Sequence, residues 1–317
     1  MMATYSPDPS LGSYLNRDDQ DTVTVDGERG PERSGPARPA EVSSVRGPHS
    51  PRLSLTIAQV QMNVLVTGGT GVLGRHVVRL LRDAGHRARI LSRNPRGHVD
   101  AVQGDLATGA GLIKALAGMD AAIHAASATT QLTRLREIDV VGTRRLLALA
   151  REEGIRHVVF ISIVGMEGIA YPYYKAKLEA EAVVKENIVP WSILRATQFH
   201  SLMEMLLGMF SKPPMLAMVP FAWQFQPVDP REVAARLVEV VKHEPAGRLT
   251  DFGGPEVRDF KGIAASWLKA RKLNKRLINL PLPLRFSRQV AEGRLLCPDH
   301  KDGKITFEQY LADKYPA

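Results

Sequence analysis

Cysteine is almost absent from the 317-residue chain, since Cys297 is the only one. A single cysteine excludes an intramolecular disulfide and a thiolate-based metal site. No window reaches the ~18 uncharged apolar residues of a membrane span. The N-terminus lacks the basic and then apolar pattern of a secretory signal. These absences predict a cytoplasmic protein without a membrane span.

Dense blocks of charge are missing as well, although the formal net charge is +9. Residues 1–61 carry a net charge of −2, so residues 62–317 carry +11. A basic domain attracts phosphates, on a small anion or on nucleic acid. The arginines are scattered along helices, which favours a solvated basic surface and supplies no recognition element for nucleic acid. The histidines are dispersed without metal-ligand spacing. We therefore predict no nucleic-acid partner and no metal.

The first 61 residues lack any sustained apolar period and hold seven of the 21 prolines. This composition is typical of a disordered segment. The segment is either a flexible tail or an over-long start, and Met62, one residue before the first strand, favours the second interpretation.

Short apolar strands alternate with helices from residue 62 to residue 195. We predict strands at 63–67, 87–92, 99–103, 120–124, 158–163 and 191–195, and helices at 72–84, 112–116, 135–153 and 173–186. Buried strands separated by helices indicate an α/β fold, a doubly wound parallel sheet with helices on both faces. Residues 196–317 then form a smaller, mostly helical lobe that is interleaved with this core. Its predicted helices are 198–210, 230–243, 260–271 and 284–296, with extended pieces at 224–228 and 248–252.

The stretch VTGGTGVLG at 66–74 joins the first strand to the first helix. Gly68 permits the tight turn, Gly71 a close approach of a ligand, and Gly74 tight packing of helix on strand. The free N–H groups and the positive end of the helix dipole together hold a pyrophosphate. In this context the glycines predict a dinucleotide-binding Rossmann domain over residues 62–195.

No acidic residue follows the second strand, where a carboxylate would bind a ribose 2′-hydroxyl. The chain reads Leu91-Ser92-Arg93-Asn94 there. Arg93 can form a bidentate pair with a 2′-phosphate, which favours NADP(H), with NAD(H) possible. The alternative is that Arg93 only faces solvent.

With Gly104-Asp105-Leu106 after the third strand and YYKAKLEAE at 173–181, the chain resembles the short-chain dehydrogenase/reductase superfamily over residues 62–312. PWSILRATQFH at 190–200 and QPVD at 226–229 are similar to its atypical, NmrA-like branch of NAD(P)H-binding proteins. The resemblance implies that the pyrophosphate is held by Thr70, Gly71, Val72 and Leu73, and that the phosphate on the adenosine ribose is held by Ser92 and Arg93. It also implies that Asp105 and Leu106 flank the adenine and that Ala125, Ala126 and Ser127 line the middle of the cofactor. Lys177 would hydrogen-bond the nicotinamide ribose.

The resemblance also implies a catalytic tyrosine with a lysine four residues later on the same helix face. Tyr173 and Lys177 have this spacing, and the charge of Lys177 would lower the pKa of Tyr173. Tyr171 and Lys175 have it too, but Tyr171 precedes Pro172. The alternative is that Tyr173 is an ordinary half-buried aromatic residue at the start of a helix.

A donor to the substrate is missing at the end of the fifth strand, where catalytic relatives have a second serine. Ile163 stands there, and strand alternation turns Ser162 to the other face. Ile163 and His200 are the predicted residues of the substrate pocket.

Two functions stay open. The first is an NADPH-dependent oxidoreductase on a small carbonyl, quinone or enone, and the second is a non-catalytic NADP(H)-binding redox sensor or scaffold. Ile163 favours the second. We expect a monomer or homodimer with an unidentified small-molecule substrate in the first case.

The composition of the first 61 residues generates a first testable prediction. Deleting residues 1–61 should leave the melting temperature and the NADPH affinity unchanged, because the segment has no apolar period with which to pack. Thermal unfolding and a binding titration of the shortened and full chains check this. A clear fall in either quantity would show that the segment packs on the domain.

Overall fold

Seven parallel strands form the central sheet of the computed structural model, which describes residues 61–129 and 131–316. The prediction on residues 1–61 falls almost entirely outside this described part. The strands are β1 (Asn63–Thr67), β2 (Arg87–Ser92), β3 (Ala101–Gln103), β4 (Ala121–His124), β5 (His157–Ile163), β6 (Trp191–Ala196), β7 (Leu216–Val219), β8 (Gln224–Phe225), β9 (Gly247–Arg248), β10 (Arg258–Asp259) and β11 (Arg276–Asn279).

Helices follow most of these strands. They are α1 (Gly74–Asp83), α2 (Leu112–Leu116), α3 (Gly142–Glu152), α4 (Pro172–Lys185), α5 (His200–Phe210), α6 (Pro230–Lys242), α7 (Phe260–Ala270), α8 (Arg285–Ala291) and α9 (Phe307–Lys314). A π-helical segment, Arg136–Val141, leads directly into α3. Within the described ranges, no helix has both the length and the apolar character needed to cross a bilayer.

The order of the central sheet is β3-β2-β1-β4-β5-β6-β9, so the direction of winding reverses between β1 and β4. Val66 of β1 is paired with Ile90 of β2 on one side and with Ile123 of β4 on the other. In a doubly wound sheet, ligands bind outside the carboxyl ends of the strands at such a reversal. The topology therefore places the candidate site beside the ends of β1 and β4, and it confirms the predicted Rossmann fold.

Alternation along β1 divides the core between the two faces of the sheet. Val64 and Val66 pack in one cluster with apolar residues of α1 and α6, such as Val77 and Leu237. Leu65 points to the opposite face and joins a second cluster with α2, α3 and α4. Helices on both faces explain why the strands read as continuous apolar runs.

The C-terminal lobe has its own aromatic core. Trp223 packs against Phe225, Phe260 and Phe286 with ring centroids 5.8–6.0 Å apart. Two small sheets, β8 with β10 and β7 with β11, accompany this core. However, β9 pairs with β6 and α6 packs on the central sheet. Parts of the chain beyond residue 195 thus pack with the strands that precede them.

The turn after β1 is built on close contact between backbone segments. Gly68 has φ of 71°, in the left-handed region, and a Cβ at Gly74 would lie 2.1 Å from the carbonyl oxygen of Gly68. Only glycine therefore lets the first turn of α1 rest on the end of β1.

This contact predicts the effect of Gly74→Ala. We expect the free energy of unfolding to fall by about 1–3 kcal/mol, because the added methyl group overpacks a site walled by backbone. Denaturant unfolding measures the change. The matched control is Gly208→Ala in α5, where a Cβ meets nothing within 4 Å. Alanine is the better helix former there, so this variant should gain up to about 1 kcal/mol. Equal effects of the two substitutions would contradict the proposed contact.

Candidate functional site

A cavity of about 420 Å³ lies at the carboxyl ends of β1, β2, β3 and β4. The loops after these four strands form its walls, as the reversal of the sheet requires. Ten of the residues predicted to contact a cofactor line it: Gly68, Thr70, Gly71, Ser92, Arg93, Asp105, Leu106, Ala125, Ala126 and Ser127. Val72, Leu73, Gly74 and Lys177 are not on its lining.

The glycine turn, of which Gly68, Thr70 and Gly71 line this cavity, has unused backbone donors. The N–H of Gly71 donates to the carbonyl oxygen of Gly68 at 2.9 Å. In the described part of the chain, the N–H groups of Thr70, Val72 and Leu73 donate to no backbone carbonyl. No side chain caps the N-terminus of α1. Free donors at a helix start suit a pyrophosphate, so the turn fits a dinucleotide.

The end of β2 supplies a cation to the same cavity. The Ser92 hydroxyl donates to the carbonyl oxygen of Asn94 at 3.0 Å and closes a local turn. Arg93 is exposed, lines the cavity, and makes no hydrogen bond or ion pair with the residues that the structure describes. Asp105 also lines the cavity, but one of its oxygens accepts the N–H of Ala107 at 2.9 Å. The guanidinium of Arg93 is thus available to an anionic ligand.

Further residues that line the cavity were not among the predicted cofactor contacts: Leu91, Asn94, His98, Gly104, Ala128, Gln131 and Ile138. Leu91 and Gly104 adjoin predicted contacts, so the strand ends were a sufficient signal for them. Gln131 lies between β4 and the helix predicted at 135–153, and Ile138 lies within that helix, which no motif placed beside a cofactor.

Tyr173 reaches the cavity through Ser127. The Tyr173 hydroxyl oxygen lies 3.3 Å from Ser127 Oγ, and Ser127 lines the cavity. Ser127 Oγ in turn donates to Asp139 Oδ1 at 2.5 Å, and the N–H of Ala128 donates to Asp139 Oδ2 at 2.9 Å. Asp139 is only 2% exposed. The sequence analysis did not single out Asp139, although a carboxylate within the helix predicted at 135–153 was a usable signal.

The pKa of Tyr173 moves in the opposite direction from our expectation. Burial raises it to about 12, and the nearby Asp139 adds to the increase, whereas the hydrogen bond with Ser127 opposes it. The expected lowering by Lys177 is therefore wrong for this structure. Tyr173 is protonated at neutral pH.

Lys177 lies on the face of α4 that packs on β5, where it is buried, and it does not line the cavity. Its Nζ donates to the carbonyl oxygen of Ile161 at 3.0 Å and lies 4.1 Å from the centroid of the Phe160 ring. Burial lowers the pKa of Lys177, while Asp139 and Glu181 act against this decrease. Lys175, the alternative lysine, is exposed. Of the two lysines, only Lys177 shares the buried environment of Tyr173.

The end of β5 follows the predicted alternation. Ile163 is half-buried and packs against the apolar core of the C-terminal lobe, as Tyr173 of α4 also does. Ser162 is buried and pairs in register with Arg195, which forms a 2.7 Å ion pair with Glu181. Burial works against ionisation of Glu181, but the hydrogen bonds from Arg195 lower its pKa to about 2. This pair ties α4 to β6 and so fixes the helix that carries Tyr173.

His200 is a correction to the predicted substrate pocket. It is fully buried, and its Nε2 donates to the carbonyl oxygen of Ile305 at 3.0 Å. Its ring packs against Phe307 and Tyr310, with centroids 5.6 and 5.1 Å away. The histidine holds the C-terminal segment to α5 and does not line the cavity, because α9, which the sequence analysis missed, covers it.

Comparisons with known proteins agree with this geometry. A family model described as NAD(P)H-binding matches residues 68–202. The chain is 34% identical, over 61% of its length and 68% of the relative, to a (4-alkanoyl-5-oxo-2,5-dihydrofuran-3-yl)methyl phosphate reductase of Streptomyces griseus. It is 29% identical, over 48% of its length and about half (49%) of the relative, to the photosystem II assembly factor Ycf39 of Cyanophora paradoxa.

A solved structure extends the likeness in fold to the C-terminal lobe. A short-chain dehydrogenase/reductase superfamily protein of Agrobacterium tumefaciens with bound NAD superposes with a TM-score of 0.61 at 20% identity, covering 79% of this chain and 95% of the other. The chain belongs to the short-chain dehydrogenase/reductase superfamily, in its atypical NAD(P)H-binding branch. The narrower resemblance to NmrA-like proteins stays a prediction.

Proposed function

We propose that the protein is an NADPH-dependent reductase that acts on a small carbonyl, quinone or enone. One observation carries the proposal: the hydroxyl group of Tyr173 lies 3.3 Å from a side chain that lines the dinucleotide cavity. A proton donor beside a nicotinamide site is the arrangement that carbonyl reduction needs. The reductase from Streptomyces griseus supports the reaction class.

The residues around the cavity support NADPH over NADH. No carboxylate follows β2, and Arg93 is free to pair with a 2′-phosphate. The free N–H groups of Thr70, Val72 and Leu73 would hold the pyrophosphate. When bound, the nicotinamide supplies a hydride to the substrate.

Tyr173 would supply the proton. With a pKa of about 12 it is a neutral phenol at physiological pH, so it holds its proton until negative charge develops on the substrate oxygen. Lys177 does not contact the Tyr173 hydroxyl; its bond to the carbonyl oxygen of Ile161 anchors α4 on β5. Ile163 and Tyr173 pack against the same apolar cluster of the C-terminal lobe, and both are partly exposed. This apolar surface favours a substrate that carries an apolar group.

A non-catalytic NADP(H)-binding sensor or scaffold is the second candidate. The residue that favours it is Ile163, which gives the substrate oxygen no hydrogen bond at a position where such a donor is worth about 3 kcal/mol. The relationship to an assembly factor points the same way.

The two candidates are separated by NADPH binding followed by turnover. Fluorescence titration measures NADPH affinity, and NADPH oxidation is then assayed across carbonyls, quinones and enones. Oxidation of NADPH by any substrate class supports the reductase. Tight binding with no oxidation across the whole panel supports the sensor or scaffold.

Arg93→Ala tests the cofactor preference. Removal of the guanidinium should weaken NADPH binding by about 1.5–3 kcal/mol, the scale of a hydrogen bond to a charged group, and leave NADH binding nearly unchanged. Binding titrations with both nucleotides measure this. Arg96→Ala is the control, since Arg96 is equally exposed but does not line the cavity. Equal losses for both nucleotides would refute the assignment of Arg93.

Tyr173→Phe tests the proton donor. The variant keeps the ring and loses the proton, so turnover should fall by about 10²–10⁴-fold while NADPH affinity holds. The control is Tyr171→Phe, because Tyr171 stacks on Phe286 with centroids 4.9 Å apart and is the tyrosine of the alternative pair. If Tyr173→Phe turns over normally, Tyr173 is not the acid, and the reaction needs no proton from the protein.

A further inference from the structure

A second pocket, of about 290 Å³, lies at the carboxyl ends of β7 and β11, which pair in parallel. The loops after these strands, at 220–223 and 280–284, form its walls together with α8. Among the described residues, none lines both this pocket and the dinucleotide cavity. Ligand pockets in proteins hold roughly 300–1,000 Å³, so the volume suits a small molecule.

The helix α8 stands between this pocket and the start of α4, where Tyr173 lies. Phe286, on one face of α8, stacks on Tyr171 with ring centroids 4.9 Å apart. Gln289, on the same face, accepts the N–H of Ala170 through its Oε1 at 2.9 Å. The residues that line the pocket from the opposite face and the N-cap of α8 are Leu284, Ser287, Arg288 and Ala291. The pocket is therefore separate from the proposed site of reduction.

The walls of the pocket are apolar and preformed. Trp223 is buried, yet it lines the pocket, and its Nε1 donates to Ser287 Oγ at 2.8 Å. Pro281 and Pro283 hold the loop after β11, because a proline ring fixes the φ angle of its own residue near −65°. Phe221 forms part of the opposite wall. A rigid apolar wall binds an apolar group with little loss of conformational entropy.

The polar groups of the pocket are left with donors to offer. Ser287 Oγ accepts Trp223 Nε1, and Asn279 Oδ1 accepts the N–H of Phe221 at 3.1 Å. Within the described part of the chain, the Ser287 hydroxyl proton and the Asn279 amide protons have no acceptor. Arg288 is exposed and makes no ion pair with a described residue.

The carboxylate one helical turn beyond Arg288 does not satisfy it. Glu292 pairs with Arg294 at 3.1 Å instead. Of the described residues on the lining, Arg288 is the one with a charge. Free donors beside an unpaired guanidinium suit an anionic ligand, and a carboxylate accepts from such groups with both oxygens.

We propose that this pocket is a second ligand site and that its ligand is a small monocarboxylate with an apolar chain or ring. The carboxylate pairs with Arg288 and accepts the Ser287 hydroxyl, and the apolar part lies against Trp223 and Phe221. A single cation matches the single charge of a carboxylate better than a phosphate monoester, which carries about −1.5 to −2. The site does not depend on the proposed function, because it shares no lining residue with the dinucleotide cavity.

Octanoate is the probe for this site. Its addition should change the tryptophan fluorescence of the full chain saturably, because Trp223 lines the pocket. Trp223→Phe should remove the change, whereas Trp191→Phe, in β6 of the central sheet, should keep it. Titration calorimetry measures the affinity without an optical label. Absence of saturable octanoate binding by both methods would overturn the proposal.

Substitutions on α8 test the two halves of the ligand. Arg288→Gln should weaken octanoate about tenfold or more, the scale of a hydrogen bond to a charged group, and leave 1-octanol unchanged. Arg285→Gln is the matched control, since Arg285 is an exposed neighbour that does not line the pocket. Ala291→Leu fills the pocket and should weaken octanoate and octanol alike. Octylammonium should not bind.

The remaining outcomes distinguish this pocket from other sources of the signal. Octanoate affinity should be the same with and without NADPH, and Arg93→Ala should not change it. Competition with NADPH would place the anion in the dinucleotide cavity and refute the proposal. Equal losses in Arg288→Gln and Arg285→Gln would reduce the effect to surface charge and refute it too. Tighter binding of octyl phosphate than of octanoate would refute the carboxylate.

Discussion

The contact between Gly74 and the backbone of Gly68 is the constraint on which the remaining geometry depends. Because the first turn of α1 rests directly on the end of β1, the glycine turn meets the loops after β2, β3 and β4 in one cavity. A side chain at Gly74 would push the helix start away from the strand end, and a side chain at Gly68 would collide with the backbone of Ala125 and Ala126 after β4. Either change would disturb the turn whose free donors suit a pyrophosphate.

The second half of the site depends on burial. Lys177 and Asp139 are buried and Tyr173 is half-buried, and burial raises the pKa of the phenol while it lowers that of the ammonium. The ion pair between Arg195 and Glu181 holds α4 against β6 and keeps these groups in place. A buried pair of this kind is weak evidence for added stability, but loss of either partner leaves an uncompensated charge. The orientation of Tyr173 is thus coupled to the integrity of the sheet.

Sequence reasoning performed well where the signal was local. The bounds of β1, β2 and α2 agree with the prediction residue for residue, since each is a short apolar run limited by turn residues. In the C-terminal lobe the prediction was correct within two residues for α5, α6 and α7, but β7, β11 and α9 were missed and the helix predicted at 284–296 ends at Ala291. These elements are short and partly exposed, and contacts distant in sequence stabilise them. His200 was misplaced for the same reason, because α9 lies about a hundred residues further along the chain.

The sequence by itself determined the Rossmann core, the glycine turn after the first strand, and the presence of Arg93 without a carboxylate after the second strand. Each follows from residues that are neighbours in the chain, whose conformational preferences are set locally. Only the tertiary structure decided the environment of the reacting groups. Asp139, Ser127 and Tyr173 come from three different segments, and the hydrogen bonds, burial and pKa shifts that join them arise when the sheet brings those segments together.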